Sequence, residues 1–457
     1  MNTRKKDRIR IASGQGYWGD WLEAPILQVG SGPIDYLVMD YLAEVTMSIL
    51  QKQKSRNPAL GYATDFIPLM RKLLPSLVEK NITLIANAGG VNPIACVGAV
   101  QDVAADLGLT GLKIAAVYGD DVSGRLQQLI KSGNPMKNME TGESLTGILN
   151  QVSSANIYFG ARPVVQALQD GARIIICGRV TDTGLTLAPM VHEFGWAWDD
   201  WDKLAAGIIG GHINECGAQS TGGNFLAGWE EVPDMHLIGF PIVEAFADGH
   251  LEITKHDKLG GLVDLRTIKE QLLYELGDPT NYITPDVVAD FTTIRLQQVG
   301  PNRVSVSGVQ GKPATDFYKV SISYFDGYTC IGGLTYVWPD AVKKARKADQ
   351  ILRKRLDYLG LKFDDVYTEY IGFDAAHGPL SPVECEPNEV ILSIGARGKE
   401  RADMERFSRE IIPLILTGPP SVTGFGGGRP RVREIIAYWP ALLPKGIIEP
   451  RVLVSEV

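Results

Sequence analysis

The densest run of chemically capable side chains lies in residues 207–225, GIIGGHINECGAQSTGGNF. Here His212, Asn214, Glu215, Cys216, Gln219, Thr221 and Asn224 are interleaved with Gly210, Gly211, Gly217, Gly222 and Gly223. An imidazole and a carboxylate can take and return a proton, a thiol can attack a carbonyl, and amides and hydroxyls can hold a developing oxyanion. Each interior glycine costs a helix roughly 1 kcal/mol relative to alanine, whereas glycine permits close backbone approach and positive φ. The stretch is therefore expected to be a loop wrapped around a ligand. For any one of its residues, a tight turn with a buried polar network is the bland alternative. His212 and Glu215 form the best acid/base pair. Cys216 is a candidate nucleophile, but neighbours on a strand point to opposite faces, so Glu215 and Cys216 would not both meet one ligand there.

Three further constellations follow apolar runs. Asn87-Ala88-Gly89-Gly90-Val91-Asn92-Pro93 comes after ITLIA and before a helical pattern, so its backbone N–H groups suit a phosphate or carboxylate. A βα loop kept tight by glycine explains it equally. Gly178-Arg179-Val180-Thr181-Asp182 comes after ARIIIC. The planar fork of Arg179 can clamp a carboxylate or phosphate, and Asp182 can orient it or act as a base; a structural salt bridge is the plain alternative. The late run from Thr417 to Arg431 offers Gly426, Gly427 and Arg429 as a phosphate cradle, or else a lid or subunit contact. Lys255 and His256 are weaker substrate-binding candidates. His212, Glu215, Asp182, His256 and Asp257 are of metal-ligand type but lack a recognised spacing. No residue is assigned to a metal, and a divalent ion stays open.

These loops need a frame. IRIA, IDYLVM, ITLIA, LKIAAV and ARIIIC are continuous apolar strands alternating with helical patterns, which predicts an α/β fold: a mostly parallel sheet covered by helices on both faces over 1–238. Ligands of such sheets bind at the strand carboxyl ends. After residue 238 the pattern changes to alternating strands with glycine turns, TIRLQQVG, NRVSVSGVQG, FYKVSISYFDG and YTCIGGLTYV. That period of two predicts a second α+β domain with antiparallel strands over 239–457.

Composition removes several function classes. With a net charge of -8 and no basic stripe, the chain has no electrostatic footing for nucleic acid. The start, MNTRKKDRIRIASG, is basic without the apolar core of a signal peptide, and no apolar run nears the roughly 18 residues of a membrane span. A soluble, cytoplasmic protein is expected. Five scattered cysteines without a CxxC argue for reduced thiols rather than disulfides or a zinc cluster.

The runs NAGGVNP, GARPVVQAL with GARIIICGRVTDTG, GGHINECGAQSTGGNF, GFPIVEAF, ITKHDKLGG, EQLLYELGDPTNYITPDV and SVTGFGGGRP resemble the acyclic terpene utilisation (AtuA) family over nearly the whole chain. That resemblance implies a catabolic role on branched, terpene-like acids carried as coenzyme A thioesters, without implying a particular reaction. It also implies a ferredoxin-like α+β module, here either a separate small partner subunit or missing, and homo-oligomerisation is expected. Coenzyme A enters as part of the substrate, with no cofactor assigned. The expected function is lyase or hydratase chemistry on a branched acyl or hydroxyacyl thioester or the corresponding organic acid. In it Glu215 and His212 would exchange protons, Arg179 and Asp182 would hold a carboxylate, and Asn87, Asn214 and Asn224 would face the oxyanion. A non-catalytic subunit that binds an acyl thioester or assembles a catabolic complex is the alternative.

Overall fold

The computed structural model describes residues 6–381, 386–424 and 428–457, and Glu44 in its backbone alone. They fall into two compact units, one of the residues up to 323 with 438–457, the other of 324–437.

The first unit is built on a ten-stranded sheet. Its strands are β1 (Arg8–Gln15), β2 (Tyr36–Met39), β3 (Thr83–Ala86), β4 (Lys113–Tyr118), β5 (Ile174–Cys177), β6 (Ile242–Phe246), β7 (Leu251–Thr254), β8 (Arg295–Gly300), β9 (Arg303–Ser307) and β10 (Arg451–Glu456). They lie in the order β8-β9-β7-β6-β1-β2-β3-β5-β4-β10. The sheet is mixed rather than mostly parallel. Parallel pairing is confined to the central β1-β2-β3-β5-β4 block, and every outer pairing is antiparallel. The reason lies in the connections: the central strands are largely apolar and joined by helical crossovers, while β6 and β7, or β8 and β9, are joined by turns too short to reverse anything but direction. Strands β6 to β9, which follow residue 238, thus extend the first unit's own sheet.

Helices cover both faces. Leu84, Ala86, Ile114, Ala116, Ile174 and Ile176 share one core with the helix Phe66–Glu79 and with α1 (Pro93–Asp106). Their neighbours Ile85, Ala115 and Ile175 point the other way, where α2 (Arg162–Gln169), α3 (Asp182–Phe194) and α4 (Trp201–Glu215) pack on the sheet.

Helix α4 overturns the expected loop at 207–225, since the chain stays helical through Glu215 and only then tightens into a 3-10 turn, Gly217–Thr221. Its glycines serve contact, not freedom. A methyl on Gly211 would stand 2.6 Å from Thr183 Cα, and one on Gly210 would stand 3.1 Å from Leu251. The close packing of α4 on α3 and on the sheet offsets the local helix cost of about 1 kcal/mol per glycine.

In the second unit, Glu389–Gly398 is flanked on both sides by antiparallel partners, Asp365–Ile371 and the residues from Tyr328 of Phe317–Val337. The helices Ala341–Tyr358 and Arg401–Ile411, the latter through Phe407, close over Leu334, Leu392 and Ile394.

Candidate active site

Parallel strands bring their carboxyl ends to one edge, and the segments leaving that edge supply Asp40 after β2, Asn87 after β3 and Arg179 after β5. A cavity of about 580 Å³ in the first unit is lined by Arg179, Asp182, His212 and Glu215 together with the apolar Met139, Ile283, Phe317 and Leu442. Four of the polar residues singled out by sequence therefore share one space, Arg179 just before α3, Asp182 at its first position, and two from the last turn of α4.

His212 and Glu215 stand three residues apart on α4, so they face the same way. His212 Nδ1 is 3.0 Å from Glu215 Oε1, and Nε2 is 3.0 Å from the carbonyl of Gln271. A carbonyl only accepts, so Nε2 carries the hydrogen and the neutral ring leaves Nδ1 bare toward the carboxyl group. Burial raises the Glu215 carboxyl above its ordinary range, with the charges of Asp182 and Glu275 adding to the rise and His212 opposing it. The pair thus holds one proton between two groups, as acid facing imidazole or carboxylate facing imidazolium. Gln271 also returns its side-chain Nε2 to the His212 carbonyl at 2.7 Å, which ties ring and backbone of His212 to α5 (Leu265–Leu273). The rings of Tyr282 and Phe291 meet the imidazole edge-on at 5.6 and 5.2 Å.

Arg179 donates from Nη1 to Asp182 Oδ1 at 2.6 Å, and its guanidinium lies 4.1 Å from the centre of the Tyr158 ring. Burial works against its charge, but Asp182, Tyr158 and Asp40 outweigh it and hold the guanidinium above its ordinary value. Its Nε has no partner among the described residues, so one donor stays unspent beside the cavity. Asp40 is the residue whose importance sequence reasoning missed. Burial, then the charge of Asp182, lifts its carboxyl well above the usual range, while Arg179 and Asn87 pull it back. Its one sequence signal was a carboxyl directly after a buried apolar strand. Tyr158, Gln271, Tyr282 and Lys319 carried no signal at all.

The other candidates fall elsewhere. Asn87 is spent on structure, giving Nδ2 to Asp40 and taking the Tyr41 N–H, both at 2.6 Å. Gly89 lets its backbone pass the Cys177 carbonyl, where a methyl would stand 2.6 Å away, and Gly90 sits at φ 52°. Asn92 donates to the carbonyls of Pro58 and Leu60. Asn214 ties α4 to α3 through Thr186 Oγ1 at 3.2 Å. Gln219 and Thr221 belong to the turn after α4, with Thr221 Oγ1 donating to Ala218, and Asn224 is an exposed residue at φ 55°. Burial pushes the Cys216 thiol up to about 12, so it holds its proton. Lys255 gives its ammonium to the Leu259 carbonyl at 2.6 Å, and His256 Nε2 lies 3.0 Å from the Gln28 carbonyl. Gly426 and Gly427 lie outside the described residues. Arg429, in the second unit, lines a depression of about 410 Å³ with Arg401, Arg409 and Arg431. Among the described residues no three His, Cys, Asp or Glu side chains gather to hold a metal ion, and no helix is long and apolar enough to cross a membrane.

A family profile described as acyclic terpene utilisation family protein AtuA matches residues 9–454, and so takes in both units and every residue of the cavity. The chain belongs to the AtuA family. No match was found among curated proteins or among solved structures. This AtuA family member is thereby tied to the utilisation of acyclic terpenes, and the chemistry of its cavity has to be argued from its own residues.

Proposed function

We propose that the protein is an enzyme acting on a branched acyl or hydroxyacyl thioester by acid/base chemistry of the lyase or hydratase type. The observation that carries this is the His212–Glu215 pair, a one-proton unit held by Gln271 against a cavity that also contains a buried, permanently charged arginine. Glu215 would take a proton from the carbon beside the thioester carbonyl, or from a β-hydroxyl, and pass charge to His212. In the first case the C–H electron pair moves onto the thioester carbonyl oxygen. In the second the O–H pair forms a new carbonyl, the bond between the α and β carbons breaks, and its pair moves onto the same thioester carbonyl oxygen, where the unspent donor of Arg179 would receive it. Asp182 holds the guanidinium in place. Met139, Ile283, Phe317 and Leu442 suit a branched hydrocarbon chain. Within the second unit, Arg429 and the three arginines beside it, Arg401, Arg409 and Arg431, suit a phosphate group, the role expected for Arg429.

The test is incubation of the protein with branched acyl and hydroxyacyl coenzyme A thioesters in heavy-oxygen water, followed by mass spectrometry. Gain or loss of one water, or cleavage into two fragments, supports the proposal and names its type. An unchanged panel with folded protein counts against it.

A further inference from the structure

The cavity contains a second cation whose situation differs from that of Arg179. Both lie against the ring of Tyr158, the Arg179 guanidinium at 4.1 Å and Lys319 Nζ at 5.2 Å from its centre, and Lys319 Nζ also lies 5.5 Å from the centre of Tyr438. Arg179 spends its charge on Asp182. Lys319 makes no ion pair among the described residues, although Asp182, Glu215 and Glu275 line the same space. Its backbone is fixed beside that ring, since the Tyr158 N–H donates to the Lys319 carbonyl at 3.0 Å. An aromatic face attracts an ammonium without neutralising it. A half-buried ammonium between two tyrosines still draws an anion, and attraction between full charges is stronger here than in bulk water.

We propose that Lys319 receives a second anionic group of the substrate, a free carboxylate on the acyl chain away from the thioester. This rests on the cavity being the thioester site. The substrate class then narrows from branched acyl thioesters to those carrying a carboxylate, with Lys319 the residue that tells the two apart. Arg179 is unsuited to that task because Asp182 already occupies it. Lys319 reads the substrate and takes no part in the proton transfer.

The experiment compares binding of glutaryl-CoA with butyryl-CoA, and of free butyrate with the neutral butyramide, by titration calorimetry on wild type, Lys319→Met and Lys319→Arg. The expected result is a preference of about tenfold or more for the carboxylated member of each pair in wild type, in line with a charge-assisted hydrogen bond. That preference should disappear in Lys319→Met and persist in Lys319→Arg. Equal affinity for both members in wild type, or a preference that survives Lys319→Met, overturns the proposal. If neither thioester binds, the thioester reading fails by itself. Lys319 is then decided by the free acid and its amide, where butyrate binding no tighter than butyramide overturns the proposal.

Discussion

His212 Nδ1 and Glu215 Oε1 stand 3.0 Å apart on one turn of α4, with the far nitrogen of the ring committed to the Gln271 carbonyl. The tautomer is thus set by backbone, and the proton that remains to be placed lies between the two side chains. Glu215→Gln keeps the shape and the buried packing but removes the group that gives up or takes that proton. Turnover should fall by about 10²-fold or more, with thermal unfolding unchanged or slightly raised because a costly buried carboxyl is gone. Steady-state kinetics beside a melting curve would show it. Equal turnover in the two proteins would remove Glu215 from the chemistry.

Close contact of α3 and α4 can be tested at Gly211. Alanine there would place a methyl 2.6 Å from both Cα and the carbonyl oxygen of Thr183, which is backbone and cannot step aside. Overpacking costs about 1–3 kcal/mol and exceeds the helix gain of about 1 kcal/mol from replacing glycine. Gly98, inside α1 with nothing within 4 Å of an added methyl, supplies the contrast. Gly98→Ala should stabilise by about 0.5–1 kcal/mol, and urea denaturation of both variants checks the opposite signs.

These glycines also show where sequence reasoning stopped. The central strands were legible because runs such as IIIC and LIA are apolar at every position, which burial on two faces explains. Arg179, Asp182, His212 and Glu215 were legible as polar groups among apolar or glycine-rich neighbours. The helical state of α4 was not, because a glycine's local cost is visible in the sequence and the helix packed against it is not. Tyr158, Gln271 and Lys319 reach the cavity from separate parts of the chain, so no spacing could have joined them to His212. Asn87 looked like a ligand-facing amide, yet its two hydrogen bonds go to Asp40 and Tyr41.

That double commitment makes Asn87 a stability residue. Asn87→Ala would leave the buried Asp40 carboxyl without its side-chain donor and the Tyr41 N–H without its acceptor. The expected cost is about 2–4 kcal/mol, the sum of two buried groups left unpaired. Chemical denaturation measures it. A loss under about 0.5 kcal/mol would mean that neither bond matters to the fold.

Asp286 gives a pH signature. Burial lifts its carboxyl from 3.8 to about 6, against the Ala161 N–H that it accepts at 2.9 Å. The folded protein therefore prefers the protonated acid, while the unfolded chain ionises at lower pH. Stability from this group is fully present below about pH 4 and is lost as pH rises to about 6, by at most about 3 kcal/mol. Asp286→Asn keeps an oxygen for Ala161 and has nothing to ionise. Its advantage over wild type should grow between about pH 4 and 6 and then level off. Unfolding free energies measured across that range would show a flat difference if Asp286 titrates normally.

The central claim is that the His212–Glu215 pair moves a proton of the substrate. Hydrogen–deuterium exchange at the carbon beside the thioester carbonyl tests it most directly, with a branched acyl thioester incubated in deuterated water and its mass followed over time. Wild type should incorporate deuterium at that carbon, and Glu215→Gln should not. Deuterium uptake by Glu215→Gln at the wild-type rate would contradict the claim, as would a wild-type protein that binds the thioester and leaves its mass unchanged.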